Sequence, residues 1–261
     1  MPGRRSGWGL VAVVGALMTA CSGSPTVRTA ASDPTTALPV STTVVVSTTT
    51  TTLRPATTTT VTPTTSTSTA APAAPFAGTT ARVTAADLPA SWRPGCPVGP
   101  EDLRLLSMSY WGFDDRPHTG TMVVSAAAAP AVLDVFHRLY DRRFPIRRME
   151  PVDVYGGSDD ASIAADNTAA FNCRNAVASG PPHWSAHAYG EAIDVNPVEN
   201  PYLEGGQVLP PAGAAYLNRA DVRAGMAVKG GELNNAFAAA GWYWGGVWAS
   251  PDYQHFSSTG G

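Results

Sequence analysis

Trp184-Ser185-Ala186-His187-Ala188-Tyr189-Gly190-Glu191-Ala192-Ile193-Asp194-Val195-Asn196 joins a turn to a short strand. Successive side chains on a strand point to opposite faces. Ile193 and Val195 therefore share one face, and Asp194 stands on the other with Ala192 and Asn196. A carboxylate opposite two β-branched residues is presented into a site. His187 lies seven positions earlier, across a turn that Gly190 permits. A neutral imidazole and a carboxylate suit a first-row metal, and zinc accepts both at about 2.0–2.2 Å. Two such residues alone are a weak signal.

A third candidate comes from the other end of the chain, in Trp242-Tyr243-Trp244-Gly245-Gly246-Val247-Trp248-Ala249-Ser250-Pro251-Asp252-Tyr253-Gln254-His255-Phe256. Gly245-Gly246 gives a tight turn among aromatics, and Asp252 precedes His255 by three residues. A catalytic zinc needs three protein ligands and one open position for water. His187, Asp194 and His255 supply three, which leaves Asp252 free as general base on a water acidified by the metal. The remaining histidines stay outside this set. His137 falls in an Arg-rich helix and faces solvent, and His118 sits in a turn. His183 is four positions from His187, a helical ligand spacing, but Pro181-Pro182 argue against a helix there. The metzincin-type His-Glu-x-x-His is absent.

Ser-x-His-x-x-Gly-x-Ala-x-Asp at Ser185 to Asp194 and Trp-x-Trp-Gly-Gly-x-Trp-(x)3-Asp-x-x-His at Trp242 to His255 together resemble one family. It is that of the zinc D-alanyl-D-alanine carboxypeptidases and L-alanyl-D-glutamate endopeptidases, whose domain is shared with the hedgehog signalling domain. The resemblance covers roughly Cys96 to Phe256. It implies a Zn2+ triad at His187, Asp194 and His255, with Asp252 in the base position. Many relatives carry Glu there; Asp is similar to the endopeptidase branch and leaves the cleaved bond open. Asp166 to Arg174 resembles the family segment that ends in a substrate-binding Arg. Arg174 is thus a candidate for holding a peptide carboxylate or a forming oxyanion with its forked donors, against a structural salt bridge. Ser185 is a candidate hydrogen-bonding group near the site or a buried turn hydroxyl. Tyr189 and Trp244 are candidate groove walls or packing residues.

Around these motifs the chain reads as α+β, a small antiparallel sheet with flanking helices and no βαβ rhythm. Ala126 to Phe144 carries Val132, Val135, Phe136, Leu139 and Tyr140 at spacings of three and four, which predicts a helix. Pro130 suits its first turn and Phe144-Pro145 its end. Glu232 to Ala240 is a second helix, stopped by Gly241. Asp102 to Tyr110 reads as a short helical or turn segment leading into a strand, and Met122-Val123-Val124 as another strand. Arg138, Arg142, Arg143, Arg147 and Arg148 read as a solvated helix face. No internal repeat is apparent.

Upstream, the composition changes at about Ala81. Ser22 to Thr80 is Thr, Pro, Ser and Ala with almost no charge, and offers too little apolar surface to offset chain entropy. It reads as a disordered, O-glycosylation-prone tether. Arg4-Arg5 followed by the apolar run Trp8 to Ala20 reads as an export signal, too short to span a bilayer comfortably. Leu17-Met18-Thr19-Ala20-Cys21 resembles a bacterial lipobox, with Met18 where Leu is usual. Cleavage near Ala20 without lipid is the alternative. With Cys21 used as anchor, Cys96 and Cys173 remain an even pair in an oxidising compartment, which points to a disulfide.

The organisation is therefore 1–21 lipoprotein signal, 22–80 linker and 81–261 zinc peptidase domain. The protein is expected on the outer face of the membrane, lipid-anchored and monomeric, with a peptidoglycan peptide as substrate. Nucleic acid is a poor partner, because the net charge is −3 and no basic block is present. A catalytically silent, zinc-containing wall-binding module is the competing reading, though such a module has no need of Asp252. A serine hydrolase is disfavoured, since neither Ser-x-x-Lys nor Gly-x-Ser-x-Gly occurs.

Overall fold

The computed structural model describes residues 74–177 and 181–260, within one unit, Thr67–Gly261. The export signal, Cys21 and the tether up to residue 73 lie outside the described residues. The fold is α+β. Strands β1 (Gly78–Arg82), β2 (Leu103–Trp111) and β3 (Pro117–Ser125) form an antiparallel meander in that order. The period of two gives β2 and β3 two apolar faces. Leu106, Met108, Met122 and Val124 enter the main core, while Leu103 and Val123 enter a second cluster with Leu88, Phe171 and Cys173.

Helix α1 (Ala129–Asp141) closes the first face with Val132, Val135, Phe136 and Leu139. It is shorter than the apolar spacing predicts, for local reasons at both ends. Ser125 Oγ accepts from Ala128 N at 3.1 Å and holds the chain before the first turn. At the other end Arg143 takes a left-handed φ of 52°, which breaks the helix ahead of Phe144-Pro145. Of the five arginines read as one helix face, only Arg138 is helical, and that reading is corrected. Arg143 lies over Trp111 at 4.4 Å. Arg147 reaches Asp166 and Glu199 at 3.3 and 3.4 Å.

Helix α2 (Asp159–Ala164) is short and capped by Ser158 Oγ, which accepts from Ala161 N at 3.1 Å. Helix α3 (Glu232–Ala239) buries Leu233, Ala236 and Phe237 at helical spacing. A second sheet runs in the order β4 (Ala192–Asp194), β8 (His255–Ser257), β7 (Tyr243–Trp244). Its Ile193 and Phe256 face each other across the ladder and both enter the main core. The Phe256 ring stacks on Phe237 at 4.1 Å. A hairpin of β5 (Tyr202–Glu204) and β6 (Gln207–Leu209) stands apart from both sheets.

Three further expectations shift. Strand β1 begins at Gly78, inside the stretch assigned to the linker, and pairs with β2 from Gly78–Met108 to Arg82–Arg104. All its residues are exposed, and its ladder with β2 is made by main-chain bonds, so composition carries no sign of it. The turn before β2 is confined to Pro100–Asp102. His118 lies in strand β3 and not in a turn, with its Nε2 at 2.9 Å from Asp114 Oδ1. Among the described residues no helix is long and apolar enough to cross a membrane.

Cys96 and Cys173 form a disulfide across a sequence separation of 77. A crosslink of that span restricts the unfolded chain and is worth about 4 kcal/mol in the chain-entropy model. The double substitution Cys96→Ser/Cys173→Ser is expected to lower unfolding stability by about that amount. Denaturant unfolding of the oxidised, reduced and substituted domain checks it; equal midpoints would refute it.

Candidate metal centre

Strand pairing places the first two candidate ligands. Asp194 in β4 and His255 in β8 are direct partners in the ladder. Their neighbours Ile193 and Phe256 enter the core, so both polar side chains emerge on the opposite face. His187 comes from a single 3-10 turn, Ala186–Tyr189. Ser185 caps that turn, its Oγ accepting from His187 N at 3.2 Å. Gly190 ends it in a left-handed conformation, φ +67°. A Cβ at Gly190 would lie 2.5 Å from Ser125 N, so the turn sits tightly against β3.

The three side chains converge. His187 Nε2 lies 3.2 Å from His255 Nδ1 and 3.3 Å from Asp194 Oδ2. His255 Nδ1 lies 3.3 Å from Asp194 Oδ1. All three residues are buried. Their ligand atoms fall within 4.8 Å of one another, which makes the group able to hold a metal ion. His187 Nδ1 is 2.7 Å from the Ala170 carbonyl. A carbonyl only accepts, so Nδ1 carries the proton and the neutral ring turns the Nε2 lone pair toward its partners. Second-shell bonds of this kind orient metal-binding imidazoles. For zinc–nitrogen bonds of about 2.0–2.1 Å, two tetrahedral ligands stand about 3.3–3.4 Å apart, close to the observed separation of the nitrogens. The donor set fits zinc.

Electrostatics agree. Burial alone would lower the pKa of His187, but the charge and hydrogen bonding of Asp194 outweigh it and raise the value. Burial would raise Asp194, and His187 and His255 hold it far below the usual carboxylate range. A proton on His187 thus compensates Asp194 in the metal-free protein, and a cation would take that proton's place. Asp252 behaves oppositely. Burial first, then the nearby Asp194 charge, push it up to about 7. Its Oδ1 is enclosed and has no hydrogen-bond partner, as is His255 Nε2. The Asp252 backbone is fixed by its N–H to the Gly245 carbonyl at 3.1 Å and by pairing with Tyr202.

These residues line one cleft of about 900 Å³. Arg174 lines it too, its Nη2 at 2.8 Å from Asp159 Oδ2. Ser185 lies at the cleft as the turn cap described above. Tyr189 and Trp244 do not line it. Tyr189 points outward from the turn, and Trp244 packs on Phe256 with its Nε1 donating to the Tyr253 carbonyl at 2.9 Å. Trp244 is thus a packing residue, while Tyr189 is exposed at the surface of its turn. His183 lines the cleft without joining the cluster. Sequence reasoning gave no role to Trp248, whose ring lies 5.2 Å from that of His255. It also missed Tyr202, Glu204 and Asp159, which line the same cleft. None of these sits at a telling spacing from a ligand, and only the fold brings them there.

A buried His–Asp–His group in an open cleft marks a class of metal-dependent enzyme centres. Residues 179–258 match a protein-family model described as D-alanyl-D-alanine carboxypeptidase. That segment contains both motifs, and the resemblance read from them is shown over it; Arg174 and Asp159 precede it. No curated protein and no solved structure matches the chain.

Three outcomes are expected. Because a metal and a proton compete for His187, apparent zinc affinity should fall by about tenfold per pH unit below the raised His187 pKa. In the metal-free protein the same pairing stabilises fully below 6.5 and is lost as pH rises through the raised value. Competition titration with a chromophoric chelator across pH reads the first; a flat profile would contradict it. Gly190→Ala should cost about 1–3 kcal/mol and reduce bound zinc, read by thermal unfolding and metal analysis.

Proposed function

We propose that this chain is a zinc metallopeptidase that hydrolyses stem peptides of peptidoglycan, either as a D-Ala-D-Ala carboxypeptidase or as an L-Ala-D-Glu endopeptidase. One observation carries the reading: the His187–Asp194–His255 cluster opens into the same cleft as the Asp252 carboxylate, whose enclosed Oδ1 has no hydrogen-bond partner, inside the segment that matches the peptidase family. A silent wall-binding module would also need a cleft, but it would have no need of the enclosed Asp252 Oδ1 beside the cluster.

In this reading zinc held by the three residues supplies Lewis-acid polarisation of the scissile carbonyl and a water that ionises near neutrality. Asp252 takes the proton of the attacking water and returns it to the leaving amine. A carboxyl with a pKa near 7 is suited to both halves of that exchange. Arg174 binds a substrate carboxylate or the oxygen that becomes negative during attack, through charge-assisted hydrogen bonds. Trp248 covers one side of His255 and shields the reacting groups from bulk water. The β5–β6 hairpin contributes Tyr202, Glu204 and Leu209 to the cleft and is the element whose shape would select the peptide. The signal, Cys21 and the Thr/Pro-rich tether belong to the same proposal. They would hold the domain outside the membrane by a lipid, at a distance suited to a wall polymer, as a monomer.

Asp252→Asn is expected to keep one zinc per chain and to lower kcat by about 10²- to 10⁴-fold. Incubation of the domain with purified muropeptides, followed by mass spectrometry, checks turnover and identifies the bond; metal analysis checks the ion. Binding of muropeptides without product by the zinc-loaded wild type would overturn the enzyme reading in favour of a silent wall-binding module. Full activity of Asp252→Asn would remove the base assignment only.

A further inference from the structure

Arg174 is not a free guanidinium. Its Nη2 lies 2.8 Å from Asp159 Oδ2, and both side chains are largely buried, at 23% and 24% exposure. Its Nη1 donates to the Asn175 carbonyl at 3.3 Å. Its Nε is enclosed without a partner, so the ligand-binding edge is the one formed by the two terminal nitrogens. The guanidinium is thus gripped at one terminal nitrogen by a carboxylate and at the other by a carbonyl.

Asp159 is itself fixed. It stands at the start of α2, whose N-terminus Ser158 caps through Ala161 N. A negative side chain in the first helical turn is favoured by the exposed backbone N–H groups. The backbone of Arg174 is equally constrained. The preceding Cys173 is tied to Cys96, its N–H donates to the Ser91 carbonyl at 2.9 Å, and the Arg174 carbonyl accepts from Ser185 N at 3.1 Å. Two anchored backbones meet through one ion pair on the wall of the cleft. The pair also lies within electrostatic reach of the centre, since Asp159 and Arg174 act in opposite senses on both His187 and Asp252.

The geometry points to Asp159 as the positioning residue for Arg174: it aims the guanidinium into the cleft and tempers its charge, so that substrate meets an oriented fork. This inference rests on the reading of Arg174 as the substrate-binding group. A long, flexible arginine loses side-chain entropy when it is immobilised. A fixed partner takes that loss before substrate arrives, and less remains to be lost on binding. Tempering matters as well. An uncompensated arginine in a largely buried wall would carry a desolvation cost and would find another partner. The other carboxylates lining the cleft are Asp160, Asp194, Glu204 and Asp252, of which Asp194 and Asp252 are needed elsewhere.

The test is a double-substitution cycle on the zinc-loaded domain, with kcat and KM measured on one purified muropeptide. Asp159→Asn is expected to reduce kcat/KM by about ten- to a hundredfold, mainly through KM, the range for losing a charged hydrogen bond. Zinc content should stay at the wild-type level. Asp159→Glu should recover activity to at least about fivefold above the Asn variant, since the carboxylate survives. Because Asp159 acts through Arg174, adding Asp159→Asn to Arg174→Ala should cost less than about twofold more. A merely structural role would give a further, additive loss there, and would lower kcat together with zinc occupancy. Either result overturns the inference, as does wild-type kcat/KM in Asp159→Asn. Should Asp159→Asn fail to fold alone, the Arg174→Ala background, which leaves no lone cation, carries the comparison. Wild-type activity of Arg174→Ala would instead sink the underlying reading of Arg174. An impaired Arg174→Ala beside an unimpaired Asp159→Asn would sink this inference alone.

Discussion

The ladder pair Asp194–His255 is the constraint from which the rest of the molecule can be understood. One residue to either side, Ile193 and Phe256 are fully buried in the main core against Phe237. The same two short strands therefore serve two solvents at once, with hydrocarbon on one face and a dry cluster of ionisable groups on the other. Two charged or chargeable side chains with little access to water are costly unless compensated. Here compensation comes from His187, delivered by a capped turn and locked by the Ala170 carbonyl. A register slip by one residue would send Asp194 into the core and Ile193 into the cleft. The apolar face thereby enforces the geometry of the polar one.

The segment 168–174 extends this control outward. Ala169 exchanges backbone bonds with Asp194 at 3.1 and 2.9 Å, so it continues the second sheet beside β4. Ala170 orients His187, and Asn172 N donates to the His187 carbonyl at 3.2 Å. Phe171 fills the second apolar cluster, and Cys173 carries the disulfide. Arg174 follows at once. In seven residues the chain supports a ligand strand, fixes a ligand tautomer, anchors a core and delivers the cleft arginine.

How far this was legible in the sequence depends on the range of the interaction. The three residues that cluster, their turn and their strand could be read because local chemistry fixes them: the period of two around Asp194 and the turn that Gly190 permits. Helices α1 and α3 were readable through apolar spacing, apart from their ends. The disulfide followed from there being two cysteines left to pair. Strand β1 was hidden because its side chains are all exposed and its pairing is through the main chain. The arginines after α1 looked like a helical face, but the left-handed Arg143 ends that periodicity and sends Arg147 to Asp166 and Glu199, far away in sequence. Tyr189 and Trp244 were open in the sequence between groove wall and packing, and Tyr189 lies only two residues from His187. Proximity in sequence says little about direction when a 3-10 turn rotates each successive side chain by about a third of a turn.

The same contrast explains why the cleft is less readable than the metal centre. Metal coordination demands a few side chains of set chemistry at short separations, so it leaves motifs. A cleft demands only shape, some apolar wall and a few charges, and the parts of this one come from α2, residues 174–177 and 183–185, the β5–β6 hairpin and the Trp248 turn. No spacing rule links Asp159 to Arg174; only the packing of α2 against the disulfide-bearing segment does. In the proposed function, those parts would decide which bond is cut. On the same proposal, the reaction would lie at the paired strands β4 and β8, and the choice of substrate with the elements around the cleft. On the proposed role of Arg174, the Asp159–Arg174 pair in the cleft wall would bear on substrate binding, whereas the strand pair Asp194–His255 would bear on the metal cluster.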